Sequence, residues 1–224
     1  MHFILDYRAE NIAENLSDYG EIILFDAKGM VYPAISGHPD IFISKAAGKW
    51  IIAPNTPDYI IKEFEKKKTS FIYGNKSVGF SYPATAHYNY YCDDEIAIVS
   101  KHTDEVVLQN IETKNIIFVK QGYIACNLIR IGSEFVTSDR GIEKAILEKN
   151  MKIHFVKPHN IILSGVTNGF IGGTAGQYEN TVYFTGSERS YYAGLLSEIC
   201  QRQNKNIIFL GRGEALDVGG IIVF

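Results

Sequence analysis

The stretch "GGIIVF", Gly219–Phe224, read beside "HFIL", His2–Leu5, decides the fold. Chain ends are usually loose and polar, yet these two are apolar and β-prone. Pairing Ile221–Phe224 with Phe3–Leu5 gives each a partner and removes an exposed sheet edge.

Working inward, one pattern recurs. "HFIL", "KWIIAP", "EIAIVS", "EFVTS" and "NTVYFTG" are apolar strands, each followed by an expected cap: Asp6, Asn55, Ser100, Ser138 or Asp139, and Ser187. Helical spacing follows, as in Ile142, Ala145, Ile146 and Lys149, or Tyr192, Leu195, Leu196 and Ile199. A further strand closes each unit: "EIILF", "SFIYG", "NIIFV", "KIHFV", "NIIFL". Their residues Leu24, Ile72, Phe118, Phe155 and Phe209 lie 48, 46, 37 and 54 apart, in the range of a repeat architecture. Four units also open with a leading strand: "DIFIS", "YNYYC", "CNLIRI" and "FIGGTAG". The first lacks one, and "GGIIVF" supplies it. The expected fold class is therefore α/β, a single domain over residues 1–224, with five ββαβ units closed by pairing of the N- and C-terminal strands. The competing arrangement is an open α/β sandwich with "GGIIVF" as one more central strand.

Bulk properties narrow the function. The formal net charge of −3 and scattered Lys and Arg argue against nucleic acid. Three cysteines, Cys92, Cys126 and Cys200, form no ligand-like spacing, so neither a disulfide framework, a zinc site nor another metal or cofactor is expected. Asp6 and Arg8 interrupt any signal-peptide pattern, and no apolar run is long enough to span a bilayer. The expectation is a cytoplasmic protein that makes no membrane contact; its oligomeric state stays open.

Aligning the leading strands puts His38, His87, Ala125, Gly172 and Asp217 at one position. Two residues on, and so on the same strand face, come Asp40, Asn89, Asn127, Thr174 and Gly219. "HPD" and "HYN" pair a histidine with a carboxylate or amide, a pattern suited to general acid–base work. The competing role is to satisfy backbone groups where strand ends converge. The Gly-rich "NGFIGGTAG" lacks the ending of a phosphate-binding loop and reads as close strand packing. "LGRGEALDVGG" reads as turn chemistry, with Arg212 a candidate anion contact. The aromatic "SYPATAHYNYY", with Tyr82, Tyr88, Tyr90 and Tyr91, is either packing or a pocket wall.

Five such units resemble the pentein, or guanidino-group-modifying-enzyme, fold, an α/β propeller of pseudo-symmetric ββαβ units. Deiminases, amidinotransferases and dimethylarginine hydrolases share it, as does a ribosome anti-association initiation factor that is no enzyme. "HPDIFISKAAGKWIIAPN", "CNLIRIGSEFVTSDRGI" and "GFIGGTAGQYENTVYFTGS" resemble, more narrowly, an uncharacterised bacterial family assigned to that fold. The resemblance implies an axial pocket for a small polar, guanidino or cationic metabolite. In that pocket the aligned His38, Asp40 and His87 are the candidate catalytic groups, and Asn89, Asn127, Thr174, Glu214 and Asp217 the candidate ligand contacts. Glu214 and Asp217 resemble the acidic residues that hold a guanidinium. It also implies a nucleophilic cysteine near the C-terminus, and here no cysteine follows Cys200, which falls on a helix. Cys126 is the remaining catalytic candidate, but strand alternation points it away from its neighbours Ala125 and Asn127. Hydrolase or transferase activity, ligand binding alone, and a protein- or RNA-interaction module all stay open.

Overall fold

The computed structural model describes all of Met1–Phe224. Its first three-stranded unit comprises β1 (His2–Asp6), α1 (Glu10–Leu16) and β2 (Glu21–Phe25). The second has β3 (Ile43–Ala46), β4 (Lys49–Ile52), α2 (Asp58–Lys66) and β5 (Phe71–Tyr73). The third has β6 (Tyr91–Cys92), β7 (Ala97–Ser100), α3 (Glu105–Gln109) and β8 (Ile116–Val119). The fourth has β9 (Leu128–Ile131), β10 (Glu134–Thr137), α4 (Arg140–Leu147) and β11 (Lys152–Phe155). After β12 (Ile161–Ile162), the fifth has β13 (Ala175–Tyr178), β14 (Thr181–Phe184), α5 (Ala193–Arg202) and β15 (Asn206–Phe209). The chain ends with β16 (Ala215–Leu216) and β17 (Ile222–Val223).

Each unit is a three-stranded sheet whose middle strand pairs antiparallel with the leading strand and parallel with the closing one. In the first unit the leading strand is β17: Phe3 faces Val223 and Ile4 faces Ile222. The His2 and Phe224 backbones exchange hydrogen bonds of 2.9 and 3.0 Å. The Phe224 ring stacks on Phe64 of α2 at 4.8 Å and meets Trp50 of β4 edge-on, so the last residue also ties the first unit to the second.

The middle strands are near-continuous apolar runs because both faces are covered; Phe3, Ile4 and Leu5 are all buried. Helices contribute apolar stripes at four-residue spacing, Ile12 with Leu16, Ile60 with Phe64, and Ile142 with Ile146. Capping meets the expectation at α4 and departs from it elsewhere. Asp139 accepts from the Ile142 amide, and Asp104, not Ser100, caps α3. Asp6 caps nothing: α1 begins without a side-chain cap, and Asp6 is engaged by Arg8. Asn55 instead grips both backbone groups of Val78, which fixes the 74–86 loop. Ser187 lies well before α5, which begins at Ala193.

Two further differences bear on the site. The aligned leading positions do not lie on strands: Pro39–Ile41, Ala125–Asn127 and Gly172–Thr174 are short 3-10 turns that precede β3, β9 and β13. Alternation of faces therefore does not apply to them. The connection read as a plain loop around Lys157–Thr167 contains β12, which pairs with β16 through Ile161↔Ala215 and Ile162↔Leu216. That small sheet delivers Asp217, whose amide bonds the Ile162 carbonyl at 2.9 Å.

Candidate functional site

The ends of several units meet in a cluster of polar side chains under a cavity of about 210 Å³. Tyr32, Tyr123 and Phe170 are among its aromatic lining, and His38, Cys126 and Asp217 its titratable lining. Aromatic faces and a carboxylate together form the surroundings a flat cation prefers.

His38 is 1% exposed, and neither ring nitrogen has a hydrogen-bond partner. Its Nε2 lies 3.9 Å from Asp6 Oδ2 and 3.8 Å from Asp217 Oδ1, beyond direct bonding but within Coulombic reach. Asp6 is held by the Arg8 guanidinium through Nε at 2.9 Å, and Arg8 is in turn anchored on the Pro33 and Ala34 carbonyls. Asp217 accepts from the Phe170 amide at 2.8 Å and the Gly219 amide at 3.1 Å. Two glycines make this packing possible. A Cβ on Gly173 would fall 1.8 Å from Asp217 Oδ1. Gly219 has φ +67, and its Cβ would fall 2.4 Å from the His38 Cβ.

Below His38 lies a second group. The Cys126 thiol donates to Asp40 Oδ2 at 2.9 Å. Asn89 donates through its amide to Asp40 Oδ2 at 2.8 Å and to Cys126 Sγ at 3.1 Å, and its Oδ1 accepts from the Cys126 backbone at 3.2 Å. Burial pushes Asp40 up to about 6, against the opposing pull of His38 and the hydrogen bond from Cys126. Burial, then the Asp40 and Asp217 charges, raise the Cys126 thiol well above its ordinary range. Asp40 Oδ1 is buried without a partner.

The structure thus brings together His38, Asp40, Asn89, Cys126 and Asp217. The expectation that Cys126 points away from this group is wrong, because its 3-10 turn rotates successive side chains by about a third of a circle where a strand reverses them. Other candidates lie elsewhere. His87 is committed to the His102 carbonyl through Nδ1. Asn127 donates through Nδ2 to the Tyr123 carbonyl and accepts from the Ser138 hydroxyl through Oδ1, and so serves the backbone that carries Tyr123. Thr174 bonds back to Ile171 within its own turn. Glu214 accepts from the Tyr191 amide and is no part of the cavity lining. Of the Tyr-rich stretch, Tyr88 and Tyr90 are buried and the exposed Tyr82 lies against His102, while Tyr91 lines a second cavity together with Asp40.

Asp6, Arg8, Tyr32, Tyr123 and Phe170 were not singled out from the sequence as site residues. A carboxylate two residues before an arginine at a buried strand end, "DYR", is a signal for the first pair. The aromatic residues sit on connections without periodicity and carry no such signal.

Three solved structures share the architecture. One is DDAH from Pseudomonas aeruginosa, a cysteine-to-serine mutant complexed with citrulline, with TM-score 0.56 and 9% identity over 93% of this chain and 91% of that one. Agmatine deiminase from C. jejuni gives 0.57 and 9% over 95% and 90%. An amidinotransferase of the saxitoxin biosynthetic pathway, from Microseira wollei, gives 0.55 and 10% over 97% and 93%. At such identities the likeness shows the fold, an α/β pentein, and no more. No curated protein matches the chain in sequence. Residues 4–222 match a family of unknown function, and the chain, a pentein by architecture, belongs to that family, DUF6873.

Proposed function

We propose that the chain is one pentein domain, its five sheets closed as a propeller, and that its central cavity binds a small planar cation of the guanidinium class. The observation that carries this is a charge imbalance beneath an aromatic lining. Asp6, Asp40 and Asp217 are three carboxylates, and Arg8 is the one fixed cation among them, already bound to Asp6. A cation beside Asp217 supplies the missing charge. Asp217 suits the task because two backbone amides fix its plane while each oxygen keeps a lone pair free. The aromatic faces of Tyr32, Tyr123 and Phe170 add about 0.5–2 kcal/mol each where they meet a desolvated cation. Agmatine, the guanidino compound in the name of one structural neighbour, fits the same chemistry.

A thermal-shift screen of arginine, agmatine, citrulline and methylated arginines tests the reading. Cationic members should stabilise the wild type, and Asp217→Asn should abolish the shift. A neutral ligand favoured over every cation, or a shift unaffected by Asp217→Asn, contradicts it.

A further inference from the structure

We propose that the ligand of the cation cavity carries its guanidinium on an apolar tail free of carboxylate, and that Leu163 and Val166 select that tail. The inference deepens the binding reading and rests on it for the charge of the head alone.

A ligand of amino-acid type brings a carboxylate, and a carboxylate taken out of water needs a cation or several donors. The lining offers neither. No lysine or arginine belongs to it, and its one carboxylate, Asp217, repels another. His38 already faces Asp6 and Asp217, at 3.9 and 3.8 Å. The Tyr123 hydroxyl meets that of Thr85 at 2.5 Å, and Asn168 is the one side-chain amide of the lining. Arg8 lines a neighbouring cavity of about 150 Å³ and is occupied by Asp6 and by the Pro33 and Ala34 carbonyls.

Apolar surface stands where that counter-charge is missing. Leu163 and Val166 line the cavity from the connection between β12 and β13. That connection is fixed at its ends: the Gly169 amide bonds the Ile161 carbonyl at 2.9 Å, and the Phe170 amide bonds Asp217 at 2.8 Å. The segment that orients the head-binding carboxylate thus also places the tail-binding side chains. Val166 lines the cavity yet is 45% exposed, which puts it at the mouth. Exposed rings adjoin the aromatic wall: Tyr82 lies 5.7 Å from the Tyr123 ring, and the Phe80 carbonyl accepts from the Tyr32 amide at 3.1 Å. Apolar side chains left in water at an entrance gain when an apolar tail covers them.

Calorimetric titration of the full chain with four probes separates head from tail. Butylguanidine and 4-guanidinobutyrate share the cationic head and differ in a terminal methyl against a carboxylate. Butylurea and 4-ureidobutyrate are the same pair with a neutral head. Butylguanidine should bind at least about tenfold more tightly than 4-guanidinobutyrate, a difference of about 1.4 kcal/mol. Val166→Arg, at an exposed position where a longer side chain displaces no core, supplies the missing cation and should lower that ratio about tenfold. Val166→Leu should keep the ratio. Equal affinities for butylguanidine and 4-guanidinobutyrate, or a ratio unmoved by Val166→Arg, overturn the proposal. Equal affinities that are both lost in Asp217→Asn leave the cation reading standing without the tail. Butylurea that binds as tightly as butylguanidine, and more tightly than 4-ureidobutyrate, leaves the tail standing and removes the cation reading.

Discussion

Replacing Phe224 by alanine tests the pairing of β17 with β1. The ring is partly exposed, stacks on Phe64 with an interplanar angle of 13°, and touches Trp50 and His2. Truncating a fully buried phenylalanine costs about 3–5 kcal/mol. Partial burial halves that, and the stacked pair adds about 0.5–1.5 kcal/mol, so the expected loss is about 2–4 kcal/mol. For a chain of this size each kcal/mol lowers Tm by about 2–4 °C, so calorimetry should show a fall of about 4–16 °C. The control is Phe118→Ala: that side chain is 68% exposed on β8, and its loss should move Tm by no more than about 2 °C. Equal shifts for the two variants would mean that the terminal strand and its last ring hold nothing together.

Further predictions rest on single positions. Gly219→Ala forces a side chain into φ +67 and against His38, so it should cost about 3 kcal/mol and eliminate ligand-induced stabilisation; a soluble variant with wild-type Tm refutes the packing described. Asp40 has a raised pKa in the folded protein, so its contribution is favourable below the ordinary carboxylate range and lost as pH rises through about 6. Asp40→Asn should accordingly be more stable than wild type by about 2–4 kcal/mol at about pH 8, with the difference gone near pH 4; urea unfolding at the two pH values checks this. Glu134 is the opposite case, held down by hydrogen bonds from Arg202 first and then His154, Lys152 and Gln203. Its contribution is present above the ordinary carboxylate range and lost on acidification. Glu134→Gln should thus destabilise by about 2–4 kcal/mol at neutral pH and progressively less in acid, and a constant difference across pH would contradict the assignment.

Much of the architecture was legible in the sequence because each unit repeats the same switch from two-residue to helical periodicity. The pairing of Phe3 with Val223 was legible because an apolar chain end needs a partner. The site was less so. His38, Asp40, Asn89 and Asp217 emerged from aligning the leading segments, but that alignment assumed strands. At Ala125–Asn127 the backbone turns instead, and the assumption aimed the Cys126 thiol the wrong way. Asp6 was misread as a cap because strand end, carboxylate and helix follow in the expected order. Arg8, two residues further on, takes it instead. Glu214 and Asp217 are near in sequence and looked equivalent, yet the β12–β16 pairing delivers only Asp217 to the cavity.

The central claim is that Asp217 and the aromatic lining select a planar positive charge. Calorimetric titration with arginine and citrulline tests it most directly, since the two match in shape and differ in that charge. Arginine should bind the wild type at least about tenfold more tightly, a difference of about 1.4 kcal/mol, and Asp217→Asn should erase the preference. Citrulline binding as tightly as arginine, or a preference that survives Asp217→Asn, would contradict the account.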